Sequence, residues 1–106
     1  MRMKNYLNNQ LNENKIYKEI MSQINTKDKF AFNSWRAKGF VDMSDGLKFT
    51  VFCPKFKGYV YIKYNKSQDL YDIIFGKVMK LQFKVVKELK NISNDNLVMS
   101  INSVVG

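Results

Sequence analysis

Between Leu47 and Leu89 apolar residues recur at every second position, and polar turn-formers interrupt the alternation. A period of two sends successive side chains to opposite faces, so this stretch buries an apolar side most readily as a sheet. Leu47-Lys48-Phe49-Thr50-Val51 sets Leu47, Phe49 and Val51 on one face. It follows Ser44-Asp45-Gly46, where Asp-Gly offers the positive φ of a tight hairpin. Tyr59 to Tyr64 puts Val60, Ile62 and Tyr64 on one side, and Tyr59, Tyr61 and Lys63 on the other. Asn65-Lys66-Ser67-Gln68 turns the chain into a strand from Asp69 to Phe75. Gly76-Lys77 then separates it from a strand spanning Val78 to Leu89, in which Met79, Leu81, Phe83 and Val85 lie opposite Lys80, Gln82 and Lys84. Upstream, Phe30 to Trp35 and Phe40 to Met43 read as two further strands. Cys53 to Gly58 is a break, since Pro54 has no N–H for a ladder.

The flanks change period. Ile16, Ile20 and Ile24 are four apart, with Tyr17 and Met21 beside them, which predicts a helix over 12–25 with Asn12 as its N-cap. The polar, Asn-rich residues 1–11 are expected to fray. Leu97, Val98, Ile101 and Val104 predict a second helix over 94–105, capped by Asn94 or Asp95. Strands joined by short turns pair antiparallel, and an apolar sheet face needs a cover. The expected fold is therefore α+β: one domain, 1–106, with an antiparallel sheet of five or six short strands within 30–89. An N-terminal and a C-terminal helix are expected to cover one face.

Composition narrows the chemistry. The 106 residues carry 18 Lys and Arg against nine Asp and Glu, with no His and one Cys. Without His there is no Ser-His-Asp or Cys-His unit and no imidazole metal ligand. One Cys makes no internal disulfide, thiolate cage or Cys-x-x-Cys pair. Asp69 and Asp72 flank Tyr71 on opposite strand faces, and Asp42 and Asp45 are strand-end and turn residues, so no acid pair forms. The expectation is a non-enzymatic protein with no cofactor and no metal. No apolar run approaches the roughly 18 residues of a membrane span, so no membrane partner is expected. Cys53 alone suits a reducing compartment, so a cytoplasmic location is expected. The formal charge of +9 is nearly all Lys, with only Arg2 and Arg36 as arginines, and Asn is abundant. AT-rich coding accounts for part of that surplus; attraction to polyanions is the other reading, because the acids have not risen to match.

Two residue groups are candidates for binding. Lys48, Tyr59, Tyr61, Lys63, Lys80 and Lys84 all fall on polar strand registers. Rings interleaved with ammonium groups suit single-stranded nucleic acid, bases stacking on the rings and phosphates meeting the charges. Tyr and Lys are also ordinary on a solvated sheet face. Few arginines argue against bidentate reading of guanine. The second group is Trp35 and Arg36 with Lys55, Phe56 and Lys57, residue types able to grip a phosphate or anchor on a protein or ribonucleoprotein. The simpler reading of these is a core Trp35 and a hairpin connection with Phe56 folded inward.

Residues 29–104 also carry a pattern made of Ala37-Lys38, Phe40-Val41, Leu47-Lys48-Phe49, Tyr61-Ile62-Lys63, Asp69-Leu70-Tyr71-Asp72-Ile73-Ile74-Phe75, Val85-Val86-Lys87-Glu88 and Asp95-Asn96-Leu97. This resembles a family of small proteins of tailed phages and other mobile elements. The chain departs from it at Arg36, where the family often has Gly, and in ending early at Gly106. The family has no settled activity, so the resemblance implies origin and assigns no residue a role. It fits three expectations: a nucleic-acid-binding accessory protein, an anti-CRISPR type inhibitor of host defence, or a self-associating virion or assembly component.

Overall fold

The computed structural model describes residues 16–106. Helix α1 spans Ile16–Lys27 and a short α2 spans Ala31–Trp35. Five strands follow: β1 Lys38–Asp42, β2 Gly46–Phe52, β3 Lys57–Asn65, β4 Leu70–Met79 and β5 Gln82–Ile92. A 3₁₀ turn, Asn94–Asn96, leads into α3, Leu97–Val105. The chain is α+β, with one antiparallel sheet in the order β1-β2-β3-β4-β5. The strands thus form a meander in which each pairs with its successor. The expected Asn12 cap and the frayed 1–11 lie outside the described residues.

One side of the sheet is the core. Leu47, Phe49 and Val51 of β2, Val60 and Ile62 of β3, and Tyr71, Ile73 and Phe75 of β4 are buried. They join Ile20 and Ile24 of α1 and Leu97, Val98, Ile101 and Val105 of α3 in a single cluster. Two polar ties connect helices to their surroundings. Tyr71 donates its hydroxyl to Gln23 Oε1 at 2.9 Å, and Trp35 Nε1 donates to Asn102 Oδ1 at 2.7 Å. Buried polar atoms need such partners, because an unmade hydrogen bond costs more than a made one contributes.

The structure corrects three local expectations. Phe30 to Trp35 is helical from Ala31, not a strand. Asp28 begins the turn by accepting the Phe30 N–H at 2.9 Å on its side chain and the Ala31 N–H at 3.1 Å on its carbonyl. Ala31 and Trp35, four apart, are then both buried, and Arg36 ends the helix at φ 55°. The same six residues have the aromatic content of a strand, but the burial of Ala31 and Trp35, four apart, goes with the helix. Second, the Ser44-Asp45-Gly46 turn is present, but its left-handed residue is Ser44, at φ 71°. Asp42 supports it by accepting the Ser44 N–H at 2.8 Å. Third, Gly76 does not break a strand. It pairs with Tyr59 on one side and Val85 on the other. The chain turns instead at Lys80-Leu81, both at positive φ.

Candidate nucleic-acid interface

Strand pairing fixes which side chains share the sheet face opposite the core. On β2 and β3, Lys48 lies across from Tyr61, Thr50 from Tyr59, Phe52 from Lys57, and Gly46 from Lys63. On β3 and β4, Tyr59 lies across from Gly76, Tyr61 from Ile74 and Lys63 from Asp72. Directly opposed residues point the same way, so Lys48, Phe52, Lys57, Tyr59, Tyr61 and Lys63 share this outer face. Phe83 of β5, opposite Val78, reaches the same group.

The centre of the face is a three-residue cluster. The Lys48 ammonium sits 5.0 Å from the Tyr59 ring centroid and 4.9 Å from that of Phe83. The two rings meet edge to face at 5.8 Å and 82°. A cation over a ring face is held by the ring quadrupole, worth about 0.5–1 kcal/mol at exposed sites. Gly76 makes the arrangement possible: a Cβ there would lie 2.4 Å from the Tyr59 ring. The ring therefore covers the glycine, a packing that protects a bare strand position. Farther along, the Lys57 ammonium sits 5.1 Å from the exposed Phe52 ring.

Tyr61 is held more firmly. Its hydroxyl donates to Asp45 Oδ1 at 2.5 Å. Partial burial, and then the Asp45 carboxylate, raise its pKa well above the usual tyrosine range. Tyr64 is raised likewise by burial and by Asp69, and burial pushes Tyr71 up to about 12. Unfolded tyrosine ionises near pH 10. Above that pH the unfolded chain gives up protons that the folded chain keeps, so stability is full below about pH 10 and falls as pH climbs further. Urea midpoints are expected to hold level to about pH 9.5 and to decline by about pH 11. A midpoint flat throughout would show that these phenols are not held in the fold.

No carboxylate of the described residues pairs with the lysines of this face. Among the described residues the one ion pair within 4 Å is Lys90 with Glu88, at 3.7 Å. Asp72 lies across from Lys63, but one of its oxygens accepts the Asn91 N–H at 3.1 Å. Lys57 and Lys63 are exposed, and Lys48 is half-buried between its two rings.

In comparisons with known proteins, no family model, no curated protein and no solved structure matches this chain. The site is therefore read from its own residues.

Four of the residues expected on this face, Lys48, Tyr59, Tyr61 and Lys63, are brought together. Two are not. Lys80 occupies the hairpin turn, and Lys84 lies opposite Lys77, whose ammonium is 5.6 Å from the Phe56 ring centroid on the core side. The second candidate group comes apart. Trp35 is 1% exposed, and Phe56 is buried edge-on against Phe75 at 6.0 Å. Both are core residues. Arg36 remains exposed at the helix end, and exposed Lys55 donates to the Ser103 carbonyl at 3.3 Å. Lys57 belongs to the outer face instead.

Phe52 and Phe83 are the functional candidates that sequence reading passed over. The signal for Phe52 was present, since it follows Lys48 and Thr50 in the same alternation. Alternation carried unbroken through Lys80-Leu81 puts Phe83 on the core side, whereas the turn there pairs Phe83 with Val78 on the outer face.

Among the described residues no helix is long and apolar enough to cross a membrane.

Proposed function

We propose that this chain is a small, non-enzymatic accessory protein that binds single-stranded nucleic acid on its outer sheet face. The observation that carries the reading is the Phe52, Tyr59 and Phe83 row, interleaved with Lys48, Lys57 and Lys63, which have no carboxylate partner within 4 Å among the described residues. The reading also takes the helices to cover the core face alone, so that the opposite face meets solvent and ligand. Bases stack on the rings without regard to sequence, while the lysines neutralise phosphates. Tyr61, tied to Asp45, holds one edge of the platform rigid. Origin in a phage or mobile element belongs to the same proposal and rests on the pattern in residues 29–104. The inhibitor reading has lost Trp35 and Phe56, its two aromatic anchors, to the core.

Fluorescence anisotropy with a labelled single strand of about 20 nucleotides, at about 50 mM salt, tests the proposal. Binding is expected, with an affinity that falls as salt rises, by a log–log slope of about −0.7 for each phosphate neutralised. Phe83→Ala and Tyr59→Ala are each expected to weaken binding by roughly 5- to 150-fold, the loss of about 1–3 kcal/mol of stacking. Absence of any anisotropy change with both DNA and RNA at low salt would overturn the proposal.

A further inference from the structure

The register of β3 on β4 ends at Tyr59 opposite Gly76. Beyond it, Lys77 to Met79 pair only with Gln82 to Lys84, so a two-stranded ribbon continues past the three-stranded part of the sheet. At about 3.3 Å per residue it reaches roughly 10 Å farther, the length of about three stacked bases. Its tip is Lys80-Leu81, a two-residue connection with φ of 51° and 67°. Hairpin turns with two positive φ values favour Asn-Gly, whereas leucine there is strained. The Leu81 side chain is 97% exposed. It contributes nothing to the core, although Val78, Met79 and Phe83 around it are also largely exposed. A strained, fully exposed leucine held at the end of a ribbon is explained by something outside the fold. Charge says what kind of thing. Residues 73–87 contain Lys77, Lys80, Lys84 and Lys87 and no acid, so the tip presents apolar groups within a purely cationic setting.

The tip also has a definite place relative to the outer face. β3 runs from Lys57 to Asn65 and β4 antiparallel to it, so the row Lys63, Tyr61, Tyr59 and then Phe83 leads toward the tip. We propose, building on the single-strand reading above, that the ribbon is a wedge for the junction between single- and double-stranded nucleic acid. The single strand lies on the outer face. Leu81, with Met79 behind it, abuts or parts the first base pair, and the ribbon lysines meet the phosphates of both strands. Leucine and methionine are among the residues that proteins insert between base steps, paying unstacking to gain contact.

The test uses three labelled DNA probes with the full chain: a single strand, a fork carrying that strand as one arm, and a blunt duplex. A 2-aminopurine at the first paired position of the fork reports unstacking. The wild type is expected to bind the fork about tenfold more tightly than the single strand and to raise 2-aminopurine fluorescence. Leu81→Asn suits the left-handed backbone and keeps the hairpin. It is expected to level the fork and single-strand affinities and abolish the fluorescence rise, while single-strand affinity stays within about twofold. Single-strand binding without fork preference, or a preference that survives Leu81→Asn, would overturn the wedge and leave the single-strand reading standing. Failure to bind any of the probes would overturn both. Equal fork and single-strand affinities, with capture of wild type but not Leu81→Asn by phosphatidylglycerol vesicles, would assign the tip to a lipid surface and also overturn the wedge.

Discussion

Replacing Trp35 with alanine is expected to lower the unfolding free energy by about 3–5 kcal/mol, a large part of the roughly 5–15 kcal/mol that holds a domain of this kind together. The indole is 1% exposed and lies parallel to Phe49 at 6.2 Å and edge-on to Phe32 at 5.7 Å. Removing it opens a cavity between α2 and the sheet. It also leaves the Asn102 carboxamide oxygen without the indole N–H it accepts at 2.7 Å, and so loosens α3. At about 4–8 °C per kcal/mol, the melting temperature followed by circular dichroism should fall by roughly 12–40 °C. Trp35→Phe keeps most of the volume and loses the hydrogen bond, and should cost roughly 1–3 kcal/mol. A melting temperature that Trp35→Ala barely moves would return this residue to the surface and restore it as a partner anchor.

The parts of the fold that were legible in the sequence are those where one periodicity had no rival. In β2 and β3 alternation is strict, and a slip of one residue would put Leu47, Phe49, Val60 and Ile62 into water, so register is forced. The four outer-face residues Lys48, Tyr59, Tyr61 and Lys63 follow from that register alone. Legibility failed where local signals pointed two ways. Phe30 to Trp35 is rich in aromatic residues, as strands often are, and also places Ala31 and Trp35 four apart. Only packing against Phe49 and the tie to Asn102, 67 residues away, chooses the helix. Glycine misled in a different manner. Gly76 reads as a turn residue, yet it is needed because the Tyr59 ring lies over it. The real turn, Lys80-Leu81, contains neither Gly nor Asn, so no local rule marks it. One misplaced turn reverses the parity from Gln82 to Val85, until the register shift opposite Phe75 and Gly76 restores it. That single error removed Phe83 from the site and put Lys84 into it.

Gly46→Ala is expected to be the other severe substitution, because Gly46 is required for close approach and not for turning. A Cβ on Gly46 would lie 1.9 Å from the Ile62 carbonyl oxygen, an atom of backbone that cannot swing aside. The β2 strand would have to lift from β3 at its first residue. Leu47, next in the chain and fully buried, would be drawn with it. The neighbourhood has several bonds to lose. Gly46 accepts the Met43 N–H at 3.0 Å, and the Asp45 carbonyl accepts the Tyr64 N–H at 2.8 Å. The expected cost is about 3 kcal/mol or more, in the range reserved for core overpacking and backbone strain. Gly39 supplies the comparison. It has φ 67° on the edge strand β1, but the nearest atom to an added Cβ is the Thr50 hydroxyl oxygen at 3.6 Å, an ordinary contact. Gly39→Ala therefore pays only for its backbone conformation, about 1 kcal/mol. Urea midpoints of the two variants measured together separate the effects, and equal midpoints would show that β2 and β3 do not approach so closely. The same displacement moves Asp45 away from the Tyr61 hydroxyl. Gly46→Ala should therefore also lower single-strand affinity under conditions where the variant is still folded, whereas Gly39→Ala should leave it unchanged. The glycine that lets two strands meet is in this way a determinant of the proposed binding face, although it carries no side chain to offer a ligand.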